Sequence, residues 1–449
     1  MAKLITNGEI PTSLFTSPMV QLDLSRNNLS GPMQEFDTKD SHMTIVSLHS
    51  NQISGQIPAS FFQLARLVNL DLSSNSLTGF NCDSKNLEVL DLSYNNFSGV
   101  IPSCLLEDSH LVILNLRGNH FEGTLPHNVS KSCKLQTINL HGNKLHGQLP
   151  RSLSNCAQLE VLDIGDNQMV DTFPSWLGKL TYFSVLVARS NQLYGSLAYP
   201  SRENEFGEYF SELYIIDISS NNFSGNLDPR WFARFTSMMA KFDDIGDIQD
   251  HATIVGSPYY QDTVAITYKG QYVTFEKVLT TLTAIDFSNN LFDGDIPEST
   301  GRLVSLHILN MSHNAFKGRI PAQIGEMSQL ESLDLSWNQL SGEIPQELTN
   351  LTFLGTLNLC QNKLYGRIPQ SHQFVTFENT SYEGNAGLCG PPLSRPCGDS
   401  SNPNEAQVNI SQDHVDIILF LFVGVGFGVG FTAGLLMKWG KISKWFRIV

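Results

Sequence analysis

The chain has 449 residues, a formal charge of −15 and seven cysteines. Its only strongly basic stretch is the extreme C-terminus, where Lys438, Lys441, Lys444 and Arg447 follow the last acid, Asp416. A surface that acidic excludes nucleic-acid binding, which needs basic patches to displace counterions.

In chain order, the opening "MAKLITNGEIP" lacks the basic-then-apolar pattern of a signal peptide. A repeat follows, marked by asparagines at 27, 51, 75, 95, 119, 143, 167, 191 and 221, then at 290, 314, 338 and 362. Most spacings are 24 residues, with an apolar residue two places on and glycine four places on, Asp171 being the exception. Proline often follows seven places on, as at Pro58, Pro126, Pro297 and Pro369. A period of 20–29 with this pattern is the leucine-rich-repeat signature. It predicts an α/β fold, a right-handed horseshoe solenoid whose short strands pair in parallel into a concave sheet. In "LVILNLRGN" the residues Leu111, Leu114 and Leu116 point inward, while Asn115 and Arg117 face out. The recurring asparagine turns the chain inward, where its amide both donates to and accepts from backbone groups. Glycine permits the bend, and the Ile-Pro pair starts an extended convex stretch.

The serine usual two places before the asparagine becomes Arg117, His141, Gly165 and Arg189 on successive coils, with Asp166 beside them. Stacked strands lie about 4.8 Å apart, so these side chains form one column, a candidate ligand grip or simply a solvated face. Cys133 and Cys156 occupy matching places on adjacent coils and read equally as buried thiols or a bridge; Cys82 and Cys104 are open. Cys360, in place of a serine, is the candidate free thiol.

The step from Asn221 to Asn290 is 69 residues, which places an insertion at 232–276. Within it "TVAITYKGQYVTF" alternates as a β-hairpin turning at Gly270-Gln271, while "KFDDIGDIQDHATIVG" reads as loop. Five aromatics between Tyr259 and Phe275 favour an interaction surface over a tolerated loop. Further on, Ile417 to Met437 runs 21 residues without a charge, enough to span a bilayer as a helix. Its basic C-terminal flank puts 438–449 in the cytoplasm and the repeats outside. Gly424 and Gly428, and Gly426, Gly430 and Gly434, recur at four-residue spacing, which lets a second helix approach closely. Sequons stand at Asn28, Asn96, Asn128, Asn222, Asn310, Asn350, Asn379 and Asn409, several arising from the repeat itself. The sequence carries no metalloprotease, nucleophile-elbow or phosphate-loop motif, no metal set and no cofactor fingerprint, so it reads as a binding protein. Twelve tail residues leave no room for a kinase.

The "LxGxIP" repeats and "GRIPQSHQFVTFENTSYEGNAGLCGPPLSRPC" together resemble plant leucine-rich-repeat receptor-like proteins of the Cf and Verticillium-resistance type. The resemblance covers most of the chain. It implies repeats over 1–231 with an incomplete first coil and no N-terminal cap, an island at 232–276, four repeats over 277–370 and a cap over 371–398. An acidic linker (399–416), the membrane helix and a short basic tail complete it. Gly8, Ile10 and Pro11 match the tail of a coil whose strand would precede Met1, so an N-terminal truncation is expected. Cys389 and Cys397 fit a cap disulfide. The resemblance further implies a plasma-membrane glycoprotein binding an extracellular protein or peptide ligand in plant defence. An adaptor receptor-like kinase would join through the membrane helix, and a SERK-type co-receptor kinase through the island and last repeats. Tyr260, eight residues, then Lys269-Gly270 matches an island motif, although a companion lysine-tyrosine motif upstream is missing. His313 and Trp337 would complete that surface. The rivals are a decoy or non-signalling product and a developmental receptor of the same plan; a secreted inhibitor of wall-degrading enzymes lacks the membrane helix.

Overall fold

The computed structural model describes residues 7–81, 86–107, 110–197, 209–239, 263–275 and 282–397. Thirteen parallel strands of three residues each, from Gln21–Asp23 to Thr356–Asn358, pair in sequence order into one sheet. The register never slips: Ile113, Leu114 and Asn115 face Thr137, Ile138 and Asn139. Side chains alternate across a strand, so the middle residue enters the core and its neighbours face the concave side. Leu90, Leu114, Leu162 and Leu186 are accordingly buried in a core that runs from Ile10 to Leu388. On the opposite side six of the described coils close through a 3₁₀ turn entered by proline, as at Ala322–Glu326 and Gln346–Asn350.

The recurring asparagine joins consecutive coils. Asn191 donates from Nδ2 to the carbonyls of Ile164 (2.9 Å) and Ala188 (3.3 Å), and its Oδ1 accepts the Met169 N–H at 2.9 Å. The residue before it is forced into the left-handed region, with φ of 53° at His313 and 54° at Trp337. For a residue with a Cβ this costs about 1–2 kcal/mol, which the three buried hydrogen bonds outweigh. Gly118 and Gly142 fill the same slot without that cost. The ladder continues into the cap, where Asn385 accepts the Leu364 N–H at 3.0 Å and donates to the Leu359 and Tyr382 carbonyls at 2.9 Å.

Several features depart from or complete the sequence pattern. The residues after each asparagine form further short parallel sheets, such as Ser341–Gly342, Lys363–Arg367 and Gly387–Cys389, instead of merely turning. The coil of Asn221 continues through Met239. Trp231, Phe232, Phe235 and Met238 are buried, and the Met238 carbonyl accepts the Ser305 N–H at 3.0 Å. The excursion therefore leaves the solenoid after residue 239, later than the spacing implied, because aromatic packing extends the convex side of that coil. Ala284–Asp286 then pairs directly with Ile215–Asp217, as though nothing intervened. Cys389–Cys397 and Cys133–Cys156 are disulfides, with Cα separations of 5.0 and 4.7 Å. Cys104 is disulfide-bonded as well, and Cys360 is the free thiol among the described residues.

No helix among the described residues is long and apolar enough to cross a membrane. The span 417–437 with Gly424, Gly428, Gly430 and Gly434, its flanks at 399–416 and 438–449, Cys82, Tyr260 and Asn409 all lie outside the described residues. Of the remaining sequons, Asn28, Asn96, Asn128, Asn222, Asn350 and Asn379 are exposed. Asn310 is not. It is 8% exposed and donates to the Asp286 carboxylate at 3.2 Å, so its place in the concave ladder removes it as a glycosylation candidate.

Replacing Asn191 by leucine strands one N–H and two carbonyls in the core, each worth about 1–3 kcal/mol. Denaturant unfolding of the full chain should therefore show a loss of several kcal/mol. The same change at exposed Asn128 should fall within about 0.5 kcal/mol of the parent.

Candidate functional site

The outward positions of the strands change character along the solenoid. They are mixed over the first six strands, with Gln21, Ile45, Asn69, Val89, Ile113 and Thr137, and polar over the last two, with Ser332 and Thr356. From the seventh strand to the eleventh they are apolar without a break, Val161, Val185, Ile215, Ala284 and Ile308, joined by Val187 where the other coils have Asp, Asn or, at Ser47, serine. A bare apolar run on a concave sheet needs a cover. The inserted segment supplies it.

That segment forms the antiparallel hairpin Val264–Tyr268 and Gln271–Phe275. Its turn is centred on Lys269-Gly270, one residue earlier than the alternation suggested. Both turn residues have positive φ, 52° and 75°, as in the primed two-residue turn that matches strand twist. Val264 and Ile266 are 2% exposed against Val161, Val185, Val187, Ile215, Ala284 and Ile308. Each such burial removes about 1.5–3 kcal/mol worth of apolar surface from water. The first strand is therefore the anchored one, and Gln271–Phe275 is the more exposed.

Polar contacts fix the hairpin at two places. On one side Tyr272 lies over the column anticipated as a ligand grip. Its ring stacks 4.2 Å from the Arg189 guanidinium, and its hydroxyl is 3.4 Å from His141 Nε2. On the other side Glu331 accepts the Tyr268 hydroxyl at 2.5 Å and pairs with Lys269 at 3.1 Å. The hairpin thus spans from coils at His141 and Arg189 to the coil at Glu331.

Beneath Tyr272 the charged side chains of the column face one another, although Arg117 Nη1, Asp163 Oδ2, Arg189 Nε and Nη1 and Asp217 Oδ2 are buried without a hydrogen-bond partner among the described residues. His141 Nδ1 is 3.1 Å from Asp163 Oδ1, and Nε2 is 2.9 Å from Asp166 Oδ2. Only an imidazolium can donate from both nitrogens. Burial opposes that charge, but the Asp163 and Asp166 carboxylates outweigh it and raise the pKa to about 9. The same hydrogen bond lowers Asp166 to about 2. Gly165 makes the arrangement possible, since a Cβ there would stand 2.6 Å from His141 Nδ1 and 3.1 Å from Arg189 Cγ. Arg117 approaches Asp163 at 3.8 Å and Arg189 approaches Asp217 at 3.5 Å. Burial, with Asp286 on the next strand, pushes Asp217 up to about 7.

The anticipated grip is therefore closed in this conformation. Arg117 and His141 are 6% and 5% exposed, and Asp166 and Arg189 are held by their neighbours. The reason is the hairpin, whose contact with this column joins residues 131 apart in sequence. What sequence reasoning missed was the apolar outward run, which was there to be read. Lys269 is tied to Glu331 rather than free, and Gly270 forms the turn. His313 and Trp337 are exposed, and their rings stack 5.3 Å apart with planes 10° from parallel.

A leucine-rich-repeat family model matches residues 86–107, 110–132, 134–156, 158–180, 305–327 and 329–351. Receptor-like protein 53 of Arabidopsis thaliana is 37% identical over 451 residues, covering 92% of this chain and 46% of that protein. Receptor-like protein 18 of the same plant is 36% identical over 457 residues, covering 97% and 52%. The chain is a leucine-rich-repeat protein similar along nearly its whole length to plant receptor-like proteins. It spans about half the length of these two relatives. Among solved structures, the ectodomain of the Arabidopsis receptor kinase HAESA, in complex with an extended IDA peptide hormone, is similar with 28% identity and a TM-score of 0.65. That match covers 88% of this chain and 58% of the ectodomain. HAESA with IDA and the co-receptor SERK1 gives 25% identity and a TM-score of 0.61, covering 87% of this chain and 66% of the other.

The His141 charge makes hairpin docking depend on pH. Its folded pKa of about 9 exceeds the ordinary histidine value of 6.5, so its contribution is complete below about 6.5 and lost as pH rises through about 9. The raised carboxyls such as Asp217 act lower, between the ordinary carboxylate value of 3.8 and about 7. Thermal stability should therefore drop between pH 7.5 and pH 10 more in the parent than in His141→Gln, measured by a melting series in matched buffers.

Proposed function

We propose that this protein is a cell-surface receptor without catalysis of its own, binding an extracellular protein or peptide ligand in plant defence. Its output would come from partner kinases: an adaptor receptor-like kinase held through the glycine-rich membrane helix, and a SERK-type co-receptor kinase recruited to the island and last repeats. On this reading the chain sits in the plasma membrane as a single-pass glycoprotein with its repeats outside. Solved ectodomains of similar fold carry a peptide hormone, and one carries a co-receptor, which supports the general scheme.

The observation that carries the reading is where the hairpin sits. It lies on the concave face and spans two blocks of repeats, so ligand and partner contacts can be coupled through one element. With Arg117 and His141 buried beneath it, ligand contact falls to the outer strand Gln271–Phe275 and to the open edge of Asp166, whose side chain is 43% exposed. Co-receptor contact falls to the stacked pair His313 and Trp337 and, on the island, to Lys269 and Tyr260. Trp337 is 52% exposed, and large aromatics so placed are frequent energetic anchors of interfaces.

Trp337→Ala should weaken recruitment of the SERK-type kinase by about 1–3 kcal/mol while the fold persists. Co-precipitation from leaf cells challenged with pathogen apoplastic extract reads this. Undiminished recruitment by a correctly folded variant would remove the pair from the interface.

A further inference from the structure

The last four repeats carry a groove of about 1030 Å³ along their lateral edge, away from the concave face. It follows the Ile-Pro pairs of successive coils. Of the six charged residues that line it, Asp295, Arg319, Glu343 and Arg367 form one row, each five places after its asparagine, while Glu298 and Glu347 stand apart from that row on the 3₁₀ turns. All four are exposed.

Each leans across the glycine of the next coil. A Cβ on Gly342 would stand 3.0 Å from Arg319 Cγ, one on Gly366 2.9 Å from Glu343 Cγ, and one on Gly390 3.6 Å from Arg367 Cγ. The Asp295 carboxylate fills the equivalent space over Gly318. Because all four lean the same way, neighbours of opposite sign do not close on one another. None of them is in an ion pair or a side-chain hydrogen bond among the described residues.

The result is a row of unpaired charges at coil spacing, reading minus, plus, minus, plus. A row of four alternating charges is complementary to itself when turned end for end. We propose that this groove is a self-association surface where two copies of the chain meet antiparallel about a two-fold axis. Asp295 then faces Arg367 of the second copy, and Arg319 faces Glu343, each pair occurring twice as an isologous contact requires. A parallel arrangement puts like against like at every rung. The row two residues earlier also tolerates the reversal: Asp293 meets Tyr365, and Lys317 meets Ser341. Exposed ion pairs add little affinity, so their role here is to set register and choice of partner. The association is therefore weak and sensitive to salt.

Sedimentation of the full chain in detergent micelles tests this. The parent should self-associate, more weakly at high salt. Arg319→Glu and Glu343→Arg each bring like charges together twice and should weaken association at least tenfold. An equimolar mixture of those two variants restores opposite charges at every rung, as does Arg319→Glu with Glu343→Arg in one chain, so both should recover association. Circular dichroism confirms that the variants are folded. A parent that stays monomeric, single variants that associate like the parent, or a mixture that fails to recover would each overturn the proposal. So would loss of binding to a different protein with self-association unchanged.

Discussion

A carboxamide can donate to two carbonyls while accepting an N–H, and the stacking of these coils depends on that capacity at each repeat. The asparagine side chain closes its own turn and ties the previous coil to it, as Asn191 does for the carbonyls of Ala188 and Ile164. The left-handed residue before it and the glycine after it follow from bringing that amide inward. So does the flat register of the sheet, because each rung fixes the next at the same height. The cap uses the same device at Asn385, which lets the apolar core end on Tyr382 and Leu388 instead of on water.

A sheet built this way has one face committed to the core and one left open. From Val161 to Ile308 the first outward position of every strand is apolar, and the inserted hairpin covers that row. Charge then accumulates at the border of that cover. His141 holds its proton between two carboxylates, Arg189 lies between the Tyr272 ring and Asp217, and Glu331 collects Tyr268 and Lys269. The buried contacts of His141 with Asp163 and of Arg189 with Asp217 are worth more than exposed pairs because water is largely excluded from them, whereas the Lys269–Glu331 pair is part-exposed and weaker. The insertion is thus part of the concave face, and it decides which residues of that face remain available.

The repeat, its asparagines and the presence of an insertion were legible in the sequence because they obey, or break, a local period, while the cap was read from its resemblance to known receptor-like proteins. Cys389 and Cys397, eight residues apart, were legible as part of that cap. The contact of Tyr272 with His141 was not, since no period relates residues 131 apart. A partial signal existed in the apolar outward positions, of which Val187 is the plainest: it breaks an otherwise polar slot directly under the hairpin. The hairpin turn was misplaced by one residue because glycine first suggested one primed turn, whereas Lys269 adopts positive φ and allows the other. Asn310 shows the reverse lesson. A sequon is a local pattern, but its availability is tertiary.

Photo-crosslinking from position 272 tests the docked hairpin most directly. With p-benzoylphenylalanine in place of Tyr272, irradiation of the full chain followed by peptide mass spectrometry should give crosslinks to segments containing Arg189 and His141. Crosslinks confined to the hairpin itself, or to solvent-facing convex turns, would contradict the account.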